Sequence, residues 1–315
     1  MAIVLGANQY GKAEIRLVRV DRDTPRHEMH DLSVTTTLRG DFAAAHTAGD
    51  QAKVLPTDSQ KNTVYAFAKE YGVGEIEDFA DRLARHFTET IPSVTGARVE
   101  VESYAWDRIR SAGPGHDHSF VRRGQDVRTT AVTVDGKGPN SRTWIVSGVK
   151  DLVVLKSTGS EFRGFLKDRY TTLEETDDRI LATSLVARWR YAAPAGDGEK
   201  AGDPYAQVAV DWGKSFAAIR ATILATFGST HSLALQQTLH AMGTAVLEVY
   251  PEVAEVRFSA PNKHHFAVDL TPFGLDNPGE VFLVADRPYG LIEASVTRDD
   301  APDPGLAWSD PPGAG

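Results

Sequence analysis

Two similar stretches decide the fold that the sequence predicts. They are Val54-Leu55-Pro56-Thr57-Asp58-Ser59-Gln60 and Val154-Leu155-Lys156-Ser157-Thr158-Gly159-Ser160-Glu161. In each, an apolar strand end is followed by Thr and, three residues later, by Gln or Glu. This is the pattern of a capping box, in which the hydroxyl accepts a hydrogen bond from a helix amide and the later side chain reaches back. Its recurrence in the second half indicates an internal duplication.

Strand and helix patterns extend outward from both stretches. Alternating apolar residues predict strands over 15–20, 32–38, 97–104, 127–134, 142–149, 153–155, 181–191, 256–259, 266–270, 281–284 and 291–297. Apolar residues three and four apart predict helices over 64–71, 76–87, 216–227 and 235–249. A slip in the alternation at Leu17-Val18 predicts a β-bulge there, or a strand buried on both faces.

This order of elements predicts an α+β fold in which a ββααββ unit is used twice. The first repeat covers 1–139 and the second covers 140–300, with the helices packed on one face of a large antiparallel sheet. Such sheets leave long edges, which oligomers often close by pairing with a neighbour. The Gly/Ala/Pro-rich stretch 192–204 is expected to be a surface loop. The Pro/Gly-rich residues 301–315 are expected to be a disordered tail.

Composition excludes several classes of protein. The chain has 315 residues, 41% of them hydrophobic, which suits a soluble protein with a sizeable core. Its net charge of −9 argues against nucleic acid as a partner, because that binding needs a basic surface. The absence of cysteine excludes disulfides, iron–sulfur clusters and thiolate zinc sites. No membrane span or signal peptide is predicted, and a cytoplasmic location is expected.

Short motifs taken alone do not define a reaction. Residues 6–13 nearly match a phosphate-binding loop but end in Ala, and a strand pattern follows where a helix should begin. The triplet at 116–118, His-Asp-His, offers metal ligands, although solvated loop polarity explains it as well. Lys12 reads either as a surface lysine or as an inward-facing amine that could act as a base, and the pattern favours the surface lysine. Thr57 reads either as a helix cap or as a hydroxyl that meets an anion or an oxygen species.

A longer pattern covers residues 155–179. It reads Leu-Lys-Ser-Thr-Gly-Ser-Glu-Phe-Arg-Gly-Phe-Leu-Lys-Asp-Arg-Tyr-Thr-Thr-Leu, followed after five residues by Arg179. This run closely resembles the signature segment of urate oxidases (uricases). Other segments resemble the same family in the same order: Tyr10-Gly11-Lys12, residues 57–63 (Thr-Asp-Ser-Gln-Lys-Asn-Thr), His118-Ser119-Phe120 and Pro261-Asn262-Lys263-His264. The resemblance covers residues 8–298.

The resemblance implies both an architecture and a reaction. The architecture is the tunnelling fold, with two ββααββ repeats per chain and a barrel-like homotetramer around a central tunnel. The active sites would lie at subunit interfaces. The reaction is the oxidation of urate by O2 and water to 5-hydroxyisourate and hydrogen peroxide in purine degradation, with no metal and no other cofactor.

The family also implies a set of substrate-binding residues. Phe162 would stack on the flat purine, and Arg179 would bind the pyrimidine edge near O2 and N3 through both arms of its guanidinium. Gln236 would supply a donor and an acceptor to the O6 and N1 edge. Leu173 and Leu235 would form the apolar wall, Leu235 mainly through its backbone.

Catalysis would fall to residues on the other side of the ring. Lys12, Thr57 and His264 would form the relay that removes a second proton from urate, leaving an electron-rich dianion that reduces O2 directly. Thr57 and Asn262 would bracket the position of O2, peroxide or water. Asp58 would act mainly through its backbone amide and by holding the loop. The relay residues would meet the binding residues across a subunit boundary.

Two other functions stay open at this stage. One is a pterin- or purine-ring enzyme of the same fold, whose relatives typically need zinc ligands or a different pocket acid. The other is a non-catalytic purine-binding protein that keeps the pocket without the relay. The presence of Lys12, Thr57 and His264 together argues against the second.

Overall fold

The computed structural model describes residues 1–110, 113–192 and 210–308. Within them the chain divides into two compact units. Unit 1 holds residues 1–148, the described parts of 190–216, and 302–308, whereas unit 2 holds 149–189 and 217–301. Unit 1 thus collects three separate segments, while the expected repeats 1–139 and 140–300 are continuous. The expected surface loop 192–204 lies outside the described residues from position 193 onward.

Unit 1 is built from antiparallel strands and three helices. Its elements are β1 (Tyr10–Asp21), β2 (Glu28–Gly40), α1 (Ala43–Ala48), α2 (Thr57–Glu70), α3 (Ile76–Thr90), β3 (Val94–Tyr104), β4 (Trp106–Arg108), β5 (Phe120–Arg122) and β6 (Val127–Asp135). Strands β1, β2, β3 and β6 are neighbours in that order, and each pair is antiparallel. Strands β4 and β5 form a separate hairpin.

Helix α3 supplies much of the core of unit 1. Phe79, Leu83 and Phe87 recur at helical spacing and are fully buried, and α3 packs against β3 and β6. Burying each of these side chains contributes about 1.5–3 kcal/mol. The apolar face of α3 therefore fixes the helix layer on the sheet.

Unit 2 has a similar composition of elements. Strand β7 (Arg142–Lys156), strand β8 (Leu181–Tyr191) and helix α4 (Trp212–Ser229) each have residues in both units. The others are α5 (Leu235–Val249), β9 (Val253–Pro261), β10 (His264–Ala267), β11 (Phe282–Ala285) and β12 (Leu291–Thr297). Strands β9 and β12 are antiparallel, β10 and β11 form a hairpin, and α5 packs on β9 and β12. None of the described helices is long and apolar enough to cross a membrane.

Most of the predicted elements are present. The α+β class is confirmed, and the helix predicted over 235–249 has the limits of α5. The strand runs 142–149 and 153–155 belong to one strand, β7. Helix α1 and strands β4 and β5 are additional to the prediction. The β-bulge predicted at Leu17-Val18 is wrong, because the register of β1 against β2 shifts between Lys12 and Ile15 instead. The alternative, a strand buried on both faces, is also wrong, because Val18 is 57% exposed.

The capping-box prediction is wrong for both stretches. Helix α2 begins at Thr57, so its N-cap is Pro56, which makes no side-chain cap hydrogen bond. Gln60 points away from the cap and its Oε1 accepts from the Thr36 hydroxyl at 2.8 Å. In the second stretch, no helix follows Thr158, whose hydroxyl donates to Asp178 instead. The match in sequence therefore does not mark equivalent helix starts.

The structure describes the first part of the expected tail, residues 301–308. Ala307 is 1% exposed and packs with Ala131 and Val146. Its carbonyl accepts from the guanidinium of Arg98, on β3, at 3.1 Å. Residues 302–308 are thus part of unit 1, which corrects the expectation of disorder for this portion, and residues 309–315 lie outside the described residues.

Candidate active site

Lys12 lies on β1 directly before the bulge. Its side chain is half-buried and its Cα partner on β2 is Thr36. The preceding Gly11 passes so close to β2 that a Cβ there would lie 1.8 Å from the Thr36 carbonyl oxygen. Only glycine fits here, because the Cβ of any other residue would overlap the backbone of β2. The Tyr-Gly-Lys motif therefore has a structural reason for its central residue.

The first turn of α2 carries the two other predicted residues of unit 1. Thr57 is the first helical residue and is half-buried, whereas Asp58 is exposed. The Asp58 carboxylate accepts hydrogen bonds from Lys61 and from Asn62 Nδ2, the latter at 3.0 Å. The hydrogen bond and charge of Lys61 lower the pKa of Asp58, and the charge of Lys12 adds to the effect. The structure therefore brings Lys12 close to the start of α2.

In unit 2, backbone hydrogen bonds hold Phe162 and Arg179 together. The Phe162 amide donates to the Thr176 carbonyl at 2.9 Å, and the Thr176 amide donates back at 3.1 Å. The Arg179 amide donates to the Ser160 carbonyl at 2.8 Å. The guanidinium carbon of Arg179 then lies 4.9 Å from the centre of the Phe162 ring. The signature segment is therefore a closed loop with an aromatic ring beside a cation.

The Arg179 side chain has one buried nitrogen that is not hydrogen-bonded to any residue that the structure describes. Its Nε is buried and has no hydrogen-bond partner among the described residues. Burial lowers the pKa of the guanidinium, although arginine stays charged at neutral pH. The side chain as a whole is half-buried, and a buried nitrogen without a partner is costly, so an anion that accepts a hydrogen bond from Nε would remove this cost. Within the same loop, Phe165 stacks on Phe162 with ring centres 4.8 Å apart.

The Phe162 loop is also tied to the start of α5. The Glu161 amide donates to the Ser232 carbonyl at 2.8 Å, and the Ser232 amide donates to Gly159 at 2.9 Å. Helix α5 begins three residues later with Leu235 and Gln236, the first buried and the second exposed. A backbone contribution suits Leu235, whose side chain is already in the core.

Leu173 stands apart from this group. It is 56% exposed within unit 2. Its assignment to an apolar wall stays a prediction.

Asn262 and His264 follow strand β9. The Asn262 amide donates to the Gly290 carbonyl at 2.8 Å, and its Cα partner on β8 is Thr183. His264 opens β10 opposite Ala285, and its ring stacks on Phe266 with centres 5.8 Å apart. Both side chains are half-buried, so both are accessible to a ligand.

Several buried polar groups escaped the sequence interpretation. The hydroxyls of Ser160 and Thr183 and the amide nitrogen of Gln60 are buried and lack partners within the described parts of the chain. Ser160 belongs to the Phe162 loop, and Thr183 pairs with Asn262. Residue spacing does not predict such residues, because each is a single polar residue and forms no repeating pattern. The sequence pattern predicts that Gln60 caps a helix, whereas its Oε1 accepts a hydrogen bond from Thr36.

The His-Asp-His triplet has a local structural role. The ring centres of His116 and His118 lie 4.5 Å apart, and the Asp117 carboxylate pairs with Arg26 at 3.0 Å. Across residues 1–110, 113–192 and 210–308, no group of three His, Asp or Glu side chains is arranged to hold a metal ion.

Comparisons with known proteins point to one family. The uricase family model matches residues 8–133 and 145–293. A curated uricase of Arthrobacter globiformis is 53% identical over 98% of this chain and 94% of its own length, and one of Cyberlindnera jadinii is 36% identical over 95% of this chain and 99% of its own length. The crystal structure of the Arthrobacter uricase superposes with a TM-score of 0.88, at 52% identity, over 98% of this chain and 100% of that one. The chain belongs to the uricase family.

Proposed function

We propose that this protein is a urate oxidase that converts urate, O2 and water to 5-hydroxyisourate and hydrogen peroxide. The observation that carries the proposal is the buried, unpaired Nε of Arg179 beside the Phe162 ring. Urate is flat and anionic, so its ring can stack on Phe162 while its edge accepts from the guanidinium. Stacking of this kind contributes about 1–3 kcal/mol per base in nucleic-acid complexes, and a bidentate charged pair adds orientation.

The remaining binding groups follow from the same orientation. Gln236, at the exposed start of α5, supplies one donor and one acceptor to the O6 and N1 edge. Leu235 contributes through its backbone and Leu173 through apolar contact. Asn262 and Thr57 bracket the place above the ring that O2, peroxide or water occupies. Asp58 holds the first turn of α2.

Proton removal makes the ring a reductant. Lys12, Thr57 and His264 form a relay that takes a second proton from urate, and the resulting dianion gives electrons directly to O2. Two electrons pass from the ring to O2, which leaves as hydrogen peroxide with two protons, and water adds to the oxidised ring to give 5-hydroxyisourate. No cofactor is part of this scheme. A positioned relay contributes about 10²–10⁴-fold to a rate.

The family resemblance supports an assembly as well. The two ββααββ repeats form a tunnelling fold, and four chains form a homotetramer around a tunnel. The relay residues of one subunit meet Phe162 and Arg179 of a neighbour. A cytoplasmic location goes with this proposal.

The test is an aerobic urate assay with a metal chelator present. The expected result is loss of urate, uptake of O2 and release of peroxide in equal amounts, measured by absorbance, an oxygen electrode and a peroxidase-coupled dye. A folded tetramer that binds a non-oxidisable xanthine analogue but releases no peroxide would contradict the proposal and favour a purine-binding protein. Activity that is lost with the chelator and regained with zinc would favour a metal-dependent enzyme.

A further inference from the structure

The strand position opposite Lys12 carries a buried polar side chain that reaches helix α2. Lys12 and Thr36 are direct partners across the antiparallel β1–β2 pair, so their side chains leave the same face, with Cβ atoms about 4.5–5.5 Å apart. The Thr36 hydroxyl donates to Gln60 Oε1 at 2.8 Å, and both side chains are fully buried. Gln60 comes three residues after Thr57. One hydrogen bond therefore joins the strand pair of Lys12 to the helix turn of Thr57.

A second hydrogen bond also joins strand β1 to the segment that leads into α2. The hydroxyl of Tyr10, two residues before Lys12, donates to the carbonyl of Leu55, two residues before Thr57, at 3.0 Å. The Tyr10 ring packs edge-on against Phe42 with centres 4.8 Å apart. Strand β1 and the start of α2 are thus fixed on both sides of the Lys12 position.

The electrostatics agree with this arrangement. The pKa of Asp58 is lowered mainly by its hydrogen bond to Lys61 and also by the charge of Lys12. The charge of Lys12 therefore lies within electrostatic range of the first turn of α2. Thr57 and Asp58 are adjacent in that turn.

A purely structural role explains the Thr36–Gln60 pair poorly. Gln60 Nε2 is buried and has no hydrogen-bond partner in the described parts of the chain, and an unpaired buried amide is destabilising. Replacing two buried hydrogen-bonding partners by apolar groups of the same shape can be nearly neutral or stabilising. An apolar pair would therefore stabilise the fold equally well, and stability alone does not explain Gln60.

We propose that Gln60, held by Thr36, is a positioning residue that sets the distance between the Lys12 amine and the Thr57 hydroxyl. The inference rests on the proton relay proposed above. A hydrogen bond has a narrow range of lengths, whereas an apolar contact allows the helix turn to slide. Proton transfer depends steeply on that distance, since a displacement of about 1 Å in a catalytic group can cost about 10²-fold in rate.

The experiment uses the full-length protein and the variants T36V, Q60M and T36V/Q60M. A matched control is T130V, because Thr130 is also buried on a strand of unit 1, where its hydroxyl donates to the Val146 carbonyl at 3.2 Å. The measurements are Tm, kcat and KM for urate, and the Kd of a non-oxidisable xanthine analogue. T36S, which keeps the hydroxyl, tests rescue.

Each variant has a distinct expected result. T36V and Q60M should lower both Tm and kcat, the latter by about tenfold, because each leaves a buried partner unpaired. The double variant should regain the wild-type Tm while its kcat stays low, with KM and the analogue Kd within about twofold of wild type. T130V should lower Tm and leave kcat unchanged, and T36S should keep most of kcat.

Two results would overturn the inference. One is a double variant that regains wild-type kcat together with Tm, which would make the pair a structural contact. The other is a double variant that stays as unstable as the single variants, which would show that the hydrogen bond is needed for folding. The wild-type assay separates these from failure of the proposed function, since a wild type without peroxide release would overturn both proposals before the variants are compared.

Discussion

The Arg179 guanidinium carbon lies 4.9 Å from the centre of the Phe162 ring, although the two residues are far apart in the signature segment. The approach is created by the paired backbone hydrogen bonds between Phe162 and Thr176. A cation beside an aromatic face is stabilised by the ring quadrupole, but Nε remains unpaired. This nitrogen is the group that the proposed substrate would bind.

Removal of the guanidinium should weaken urate binding. Arg179→Ala loses charge-assisted hydrogen bonds, and the loss of one such bond, about 1.5–3 kcal/mol, already corresponds to about 10- to 100-fold in kcat/KM, mainly through a higher KM. Arg179→Lys should fall between Ala and wild type, because lysine keeps the charge but lacks the fork. Steady-state kinetics with urate measure both effects.

Arg163→Ala is the matched control for this prediction. Arg163 lies in the same loop, is exposed and pairs with Asp177, so its loss should leave KM unchanged. If Arg179→Ala also left KM unchanged, Arg179 would not be the substrate clamp.

Removal of the Lys12 amine should separate chemistry from binding. In Lys12→Met the relay loses its base, so kcat should fall by about 10²–10⁴-fold, while a xanthine analogue should bind with nearly wild-type affinity by calorimetry. Lys53→Met, which removes an exposed partner of Asp41, should change neither value. Loss of analogue binding with chemistry retained would show that Lys12 belongs to the binding groups.

Gly11 should tolerate no side chain. A Cβ at this position would lie 1.8 Å from the Thr36 carbonyl oxygen, so Gly11→Ala forces β1 away from β2 and should cost about 3 kcal/mol or more of unfolding free energy. Gly6→Ala is the control, since no atom lies within 4 Å of the added Cβ. Thermal melts of the two variants give the comparison, and equal Tm values would contradict the close approach.

Regular periodicity made the elements predictable. The apolar spacing of α5 continues without a break from Leu235, so both ends of the helix were correct. Strand β7 was divided in two because the polar pair Lys150-Asp151 interrupts its apolar pattern. The backbone of β7 is irregular at this point, since Asp151 has a φ of 57°, and a local pattern cannot distinguish such an irregularity from a turn.

The contacts of the candidate site could not be predicted from residue spacing. A Thr followed by Gln three residues later has the spacing of a capping box, yet the register of β1 and β2 places Thr36 where it binds Gln60 instead. That partner is distant in sequence, so only tertiary packing reveals it. Phe162 and Arg179 likewise read as an ordinary aromatic and an ordinary cation. The family resemblance gave them roles, and the loop geometry gives a physical reason for those roles.

Glu77 makes the free energy of unfolding of this protein depend on pH. It lies at the start of α3, is 1% exposed, and accepts hydrogen bonds from Ser147 and Arg128, each at 2.6 Å. Burial raises its pKa despite these two partners. The folded state thus holds the proton more tightly than the unfolded state, where the pKa of Glu is about 4.3.

The contribution of Glu77 to the free energy of unfolding therefore falls as the pH rises. Between about pH 4.3 and the raised pKa of folded Glu77 the folded state binds more protons, so the free energy of unfolding decreases with pH and levels off above that pKa. Glu77→Gln removes this titration, so the stability of wild type relative to Glu77→Gln should be highest near pH 4 and decline as the pH rises through the folded-state pKa. Urea midpoints of both proteins across that range measure the difference, with Glu248→Gln, at an exposed position of α5, as the control. A difference that grows with pH would mean that the Arg128 pair outweighs burial and that the pKa of Glu77 is lowered on folding.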